Sequence, residues 1–419
     1  MLLSAATLFG QLMRRIRQPA ILGEMLAGIL IGPTLLGTVF PGLYTILFES
    51  SDTILLARDA AIKLGMLFFL FIAGLEIDLH EVLRLGRKTV MIGLVGTLLP
   101  IGLGMGLVYL IPAGFWGAAV QKHLFSFALF VGMNFANSAN PVIARILLDL
   151  GLLRGEVGTL IMGATIFDDL INWTLFAIVM SDIAPQEAGL SLPGGVGVSI
   201  LWVVVLFVIL IGGGRLFGTK SLYWARTKLT WPSGFIALTA VVILLAASLS
   251  EFLGVHAFLG AFLVGVSLGG PGKEQDEAHQ AINHFVSSFF TPIYFVSIGM
   301  SANFFVHFDG RLIALILAAA LFTKLSAVML GAKLSGMQAD RSTWAIAFGL
   351  NARGATGMIL AQVGLVNGLI DERLFVAFAA MVLVTTLMSA PVMNYLLKGA
   401  AIKTDGALPA AAENLPVEH

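Results

Sequence analysis

Apolar runs long enough to cross a bilayer recur along nearly the whole chain, and no other feature limits its fold as strongly. A helix needs about 17–25 predominantly apolar residues to span the hydrocarbon layer. We count about thirteen such runs: residues 1–13, 19–36, 63–79, 89–111, 123–148, 157–180, 196–217, 233–249, 256–268, 282–301, 311–334, 343–369 and 374–397. The first and the ninth are short, and the first reads as a partial span or one that begins upstream. The chain is therefore expected to be an all-α polytopic membrane protein. Its 419 residues are 58% hydrophobic and 11% charged, where a soluble domain carries roughly 25% charge. Its 47 glycines suit close helix packing and interrupted helices. The absence of cysteine excludes disulfides, thiolate metal sites and cysteine nucleophiles. With zero net charge, nothing points to a nucleic-acid partner. No basic segment precedes the first apolar run, so no cleavable signal peptide is expected. No GxGxxG follows residue 397, so no nucleotide-binding domain is expected there.

Basic residues in the connections orient the chain. With the N-terminus outside, seventeen of the 24 Lys and Arg residues fall on the inner side and five on the outer. Only Lys324 and Arg353 stay inside spans. The odd span count places the C-terminus in the cytoplasm.

The polar residues at membrane depth carry the functional reading. Asp168 and Asp169 lie near the middle of the 157–180 run. An ionised group there is disfavoured by about 2.5–3.5 kcal/mol, and neighbouring like charges add to that, so ion or proton handling is the expected reason for the pair. Adjacent helical residues point about 100° apart. One carboxylate can therefore face a cavity while the other faces a neighbouring helix. Lys324 is too central in its run to snorkel to the interface. It is expected to pair with an aspartate, Asp168 above all, or with another internal partner. A buried lysine of this kind could give up its proton when the pair opens.

Two runs are interrupted. The first break is Asn134–Pro141, with Asn137, Ser138 and Asn140 as candidate auxiliary ligands. The second is Asn351–Gly357, with Asn351, Arg353 and Thr356. Pro141 removes a backbone donor and disfavours helix at Asn140. Non-helical backbone at this depth must be buried or line a cavity, and it frees half-helix termini that can hold ions. A kink held by neighbours is the plainer alternative. One broken helix in each half points to an inverted-repeat secondary transporter with a midplane site. We divide the chain into scaffold and dimerisation helices (1–88), a first transport half (89–180), a linker helix and further scaffold (181–310), a second transport half (311–397) and a cytoplasmic tail (398–419). Other polar residues read as structural. Glu24 is expected to pair with a basic loop residue, Glu76 and Asp78 to form a solvated helix end or a cation funnel, and His256 to be an interfacial histidine with its hydrogen bonds met.

The segments QPAILGEMLAGILIGP, FIAGLEIDL, HAFLGAFLVG, SIGMSANF and LNARGATGMILAQVG, with the aspartate pair and Lys324, resemble the monovalent cation:proton antiporter superfamily. Within it they resemble the bacterial Kef/Nap-type sodium/hydrogen exchanger group. The order and spacing of these elements match over nearly the whole chain. The resemblance implies the sodium/proton antiporter fold, with two crossing discontinuous helices in a core that moves like an elevator against a dimerisation scaffold, and a homodimer in a bacterial plasma membrane. It implies that Asp169 binds Na⁺ or K⁺ and protons, that Asp168 pairs with Lys324, and that exchange is electrogenic. No resident cofactor is implied. The first break, Asn137-Ser138-Ala139-Asn140-Pro141, departs from the family by lacking threonine. A sodium-coupled organic-anion symporter and a gated K⁺ efflux module are the rival readings.

Overall fold

The computed structural model describes residues 1–397 apart from 17, 49–51, 78–85, 118–119, 121–122, 151, 154, 184–200, 203, 215–223, 225–226, 231–232, 254 and 270–279. The expectations for Asp78 and for the tail lie outside the described residues, as does part of the 196–217 run. All described regular structure is helical. The principal helices are α1 (Leu2–Arg15), α2 (Ala20–Ile31), α3 (Asp52–Leu75), α4 (Arg87–Leu110), α5 (Leu124–Ala136), α6 (Asn140–Asp149) and α7 (Glu156–Ile183). They continue as α8 (Val204–Gly214), α9 (Ser233–Phe252), α10 (Ala257–Leu268) and α11 (Gln280–Gly299). The last four are α12 (Gly310–Leu334), α13 (Arg341–Gly349), α14 (Gly354–Val366) and α15 (Glu372–Leu397). Seven described helical stretches are long and apolar enough to cross a membrane, namely Ala20–Val39, which runs on from α2, and those of α4, α7, α9, α11, α12 and α15, while α5, α8 and α10 are shorter apolar helices.

The two interrupted runs become helix pairs. The 123–148 run divides into α5 and α6, and the 343–369 run into α13 and α14. The first break lies at Asn137–Ala139, where Asn137 and Ala139 leave helical geometry and a proline occupies the first turn of α6. Proline there has no donor to waste and a preset φ. The second break ends at Gly354, whose φ of +39° lies in the left-handed region. A Cβ at Gly354 would stand 2.5 Å from Val142 Cγ2 and 2.9 Å from Ala139 Cβ. That position needs glycine on both counts. The breaks meet directly: the Ala139 N–H donates to the Ala352 carbonyl at 2.8 Å.

The helices pack as two sets. In one, α4 lies against α5, α7 and α12, and α15 lies against α12, α13 and α14. In the other, α1, α2 and α11 pack together, and α10 lies between α3 and α9. Gly74 on α3 faces Gly265 on α10, and a Cβ on either would come within 2.1 Å of the other helix's backbone. Such small residues are what lets helices approach closely in lipid, where burial of apolar surface gives little drive. Contact between the sets runs through α7 with α10, and through α14 with α2 and α11.

Candidate functional site

The aspartate pair sits on α7 where both breaks, α4 and α12 converge. Asp168 is 1% exposed and is fully engaged. Its carboxylate accepts from Lys324 Nζ at 2.6 Å, and from the hydroxyls of Thr97 and Ser138. Two charges taken out of water are tolerated only with good geometry and with further hydrogen bonds on the remaining lone pairs. Those bonds are present on both partners, since Lys324 also donates to the Gly96 carbonyl at 3.2 Å and to the Ala136 carbonyl.

The Gly96 carbonyl is available for a sequence reason. Pro100 lies inside α4, and a helical proline offers no N–H to the carbonyl four residues before it. That carbonyl is Gly96, and the Lys324 ammonium takes the place of the missing donor. The same turn of α4 supplies Thr97. Neither contribution was foreseen from the sequence, where Pro100 looks only like a kink and Thr97 like a small interior residue.

Arg353 performs a parallel task at the other side of the first break. Its side chain is wholly buried. Nε donates to the Asn134 carbonyl at 3.2 Å, Nη2 to the Phe135 carbonyl at 2.8 Å and the Ala320 carbonyl at 3.0 Å, and Nη1 to the Asn351 carbonyl at 3.1 Å and to Asn351 Oδ1. The last three carbonyls of α5 are thus held by two cations, Arg353 and Lys324. A half-helix C-terminus carries about half a negative charge, and these two side chains balance it.

This arrangement redistributes the expected auxiliary ligands. Ser138 lies between Asp168 and the Leu350 carbonyl, 2.6 Å away. Asn140 Oδ1 accepts from Thr165 at 3.2 Å. The carbonyls beside the first break, expected to face an ion, instead face Lys324 and Arg353. Asn137 donates through Nδ2 to the Arg353 carbonyl at 3.4 Å, and its Oδ1 has no partner. Asn351 Nδ2 also lacks one. Thr356 is buried in the first turn of α14.

Asp169, one residue on, is in a different state. It is 4% exposed, and among the described residues no hydrogen bond or direct ion pair reaches its carboxylate. The charges of Asp168 and Glu76 repel it and that of Lys324 attracts it. Glu76 itself is exposed just past the end of α3. The two neighbouring carboxylates of α7 thus differ sharply in their partners.

Two peripheral expectations are corrected. Glu24 makes no ion pair with a basic loop residue among the described residues. Its Oε2 is buried without a partner on α2, with Arg14 at the end of α1 acting on it at longer range. His256 is not satisfied either: its Nδ1 is buried and unpartnered, and its ring lies 4.8 Å from that of Phe258.

The profile of the transmembrane sodium/hydrogen exchanger family matches residues 2–398. Among curated relatives, Cation/H(+) antiporter 18 of Arabidopsis thaliana is 30% identical over 398 residues, covering 93% of this chain and 47% of the plant protein. The chain thus spans about half the length of that relative. The Na(+)/H(+) antiporter NhaS4 of a Synechocystis strain is 28% identical, covering 94% of each chain. These relatives are transporters and not enzymes. Among solved structures, the sodium proton antiporter NhaP1 of Methanocaldococcus jannaschii superposes over 97% of each chain with a TM-score of 0.67, at 15% identity. That likeness concerns the fold.

Proposed function

The chain belongs to the transmembrane sodium/hydrogen exchanger family, and from that premise we propose that it exchanges a monovalent cation, Na⁺ in preference to K⁺, for protons at Asp169. The observation that carries this reading is the contrast between neighbouring carboxylates. Asp168 has its ammonium and two hydroxyls; Asp169 has no direct partner among the described residues. A bare carboxylate at membrane depth is disfavoured by about 2.5–3.5 kcal/mol. Either a proton or a cation removes that penalty, so the two compete for one site. Loading the site with either also removes net charge from the core, which permits the inward–outward transition. Oxygen ligands suit a hard cation such as Na⁺.

Lys324 supplies a second proton when its pair with Asp168 opens. Two protons then cross for one cation, and exchange is electrogenic. Exposed Glu76 marks the approach to Asp169. We read the helix set around α4, α7, α12 and α15 as the unit that moves, and the set around α2, α3, α10 and α11 as the scaffold of a homodimer. The assignment is to a bacterial plasma membrane with the N-terminus outside and the C-terminus in the cytoplasm.

Everted vesicles carrying a ΔpH-sensitive dye test this directly. Adding NaCl should restore fluorescence across a range of pH, with KCl and LiCl ranking the ions. Salt that moves no protons would sink the antiport reading in favour of a sodium-coupled symporter. Flux far above carrier rates would favour a gated K⁺ efflux module.

A further inference from the structure

Asn172 on α7 has no role in the arrangement described above, yet it is placed where a role is needed. Its side chain is 1% exposed, and both Oδ1 and Nδ2 are buried without a hydrogen-bond partner. Burying a polar group without a partner is unfavourable, and an amide with both ends orphaned is unusual in a packed interior. At about 100° per residue, Asn172 projects roughly 40° from Asp168 and 60° from Asp169, between the two carboxylates and one turn further along α7.

The surroundings narrow what can fill the gap. Asp168 is held by Lys324, Thr97 and Ser138, and no hydrogen bond joins it to the Asn172 amide. Asp169 is three residues from Asn172, about 4.5 Å along the helix axis, and it too lacks a partner. Beyond Asn172 the stripe turns aromatic. Trp173 and Phe176 are fully buried, with Phe258 and Phe262 of α10 packed on them at ring separations of 5.0–5.9 Å. The polar stripe Thr165, Asp168, Asp169, Asn172 therefore ends at Asn172 against aromatic rings, where Trp173 Nε1 is also buried without a hydrogen-bond partner. Asn172 and Asp169 thus lie on one side of α7, and neither has a hydrogen-bond partner among the described residues.

Resting on the reading of Asp169 as the carrier, we propose that Asn172 is a neutral oxygen ligand of the transported cation. Oδ1 binds the ion together with the Asp169 carboxylate, and Nδ2 donates to a water that travels with it. An ion about 2.4 Å from each oxygen bridges oxygens up to about 4.8 Å apart, which suits groups one turn apart. The amide has a selective effect. A proton needs only the carboxylate, because an amide oxygen does not titrate in this range. A cation needs several oxygens. Asn172 therefore sets cation affinity and ion ranking, while Asp169 sets proton uptake.

The test uses the full chain in proteoliposomes with a ΔpH dye, comparing wild type, Asn172→Leu, Asn172→Asp and Asp169→Asn. Asn172→Leu is expected to raise the half-maximal Na⁺ concentration about tenfold and compress the differences among Na⁺, Li⁺ and K⁺. The midpoint of its pH profile at saturating Na⁺ should stay put. Asn172→Asp keeps the volume and an oxygen, and should hold Na⁺ affinity within about threefold of wild type. Unchanged Na⁺ dependence and ion ranking in Asn172→Leu would overturn the proposal. So would an Asn172→Asp chain that loses Na⁺ affinity as severely as the leucine variant, since the role would then be structural. If Asn172→Leu does not fold, the aspartate variant decides alone: retained affinity supports the ligand role and lost affinity removes it. Asp169→Asn separates the two levels. Exchange surviving in that variant defeats the carrier reading itself. Exchange abolished there, with Asn172→Leu unaffected, defeats only the present inference.

Discussion

Removing Lys324 alone would leave Asp168 as a buried, unbalanced carboxylate, with the Ala136 and Gly96 carbonyls also deprived of a donor. Breaking a buried pair in this way typically lowers stability by about 3–5 kcal/mol, whereas replacing both partners with neutral groups of similar volume is far milder. Lys324→Met should therefore melt well below wild type in detergent, and Lys324→Met with Asp168→Asn should recover most of the loss. A Lys324→Met chain as stable as wild type would contradict the assignment of the pair as a structural clamp. At this scale the sequence was informative wherever a full charge interrupts an apolar run. Asp168, Asp169, Lys324 and Arg353 all stood out for that reason. Thr97 and Asn172 did not, because a hydroxyl or an amide barely lowers the hydropathy of its run. Thr97 is also 71 residues from the carboxylate it serves, and nothing in a local pattern reports that.

Among the elements, α4 gives the sharpest test. Helix propensity alone favours alanine over proline in a helix interior by about 3 kcal/mol, so Pro100→Ala would ordinarily raise the melting temperature. Here the new N–H would turn the Gly96 carbonyl back into the helix and away from Lys324. The expected outcome is a melting temperature unchanged or lowered; a rise of several degrees would show that the Gly96–Lys324 bond contributes nothing. The two breaks were legible as elements, from Pro141 and from the polar run Asn351–Gly357. Their mutual geometry was not. The residues that join them, Ala139 and Ala352, carry no side-chain signal and meet through backbone alone. Nor could spacing show that Arg353 caps the carbonyls of a helix more than 200 residues earlier.

For the whole molecule, exchange by an elevator requires the helix set containing α7 to slide against the set containing α10. The Trp173, Phe176, Phe258 and Phe262 cluster lies at that boundary, with Phe176 and Phe258 stacked at 5.0 Å. The chain contains no cysteine, so Phe176→Cys with Phe258→Cys introduces a single pair without background. Bridging the two thiols with mercuric ion should stop exchange, and a chelating dithiol should restore it. Undiminished exchange in the bridged protein would argue for local gating without sliding. The measurement that bears most directly on the central claim is cation-driven ΔpH dissipation by Asp169→Asn. Asp169 has no partner to lose among the described residues, so the variant should fold and melt close to wild type while Na⁺ and K⁺ at any pH fail to move protons. A well-folded Asp169→Asn protein that restores dye fluorescence as fully as wild type would contradict the claim that this carboxylate carries the exchanged ions.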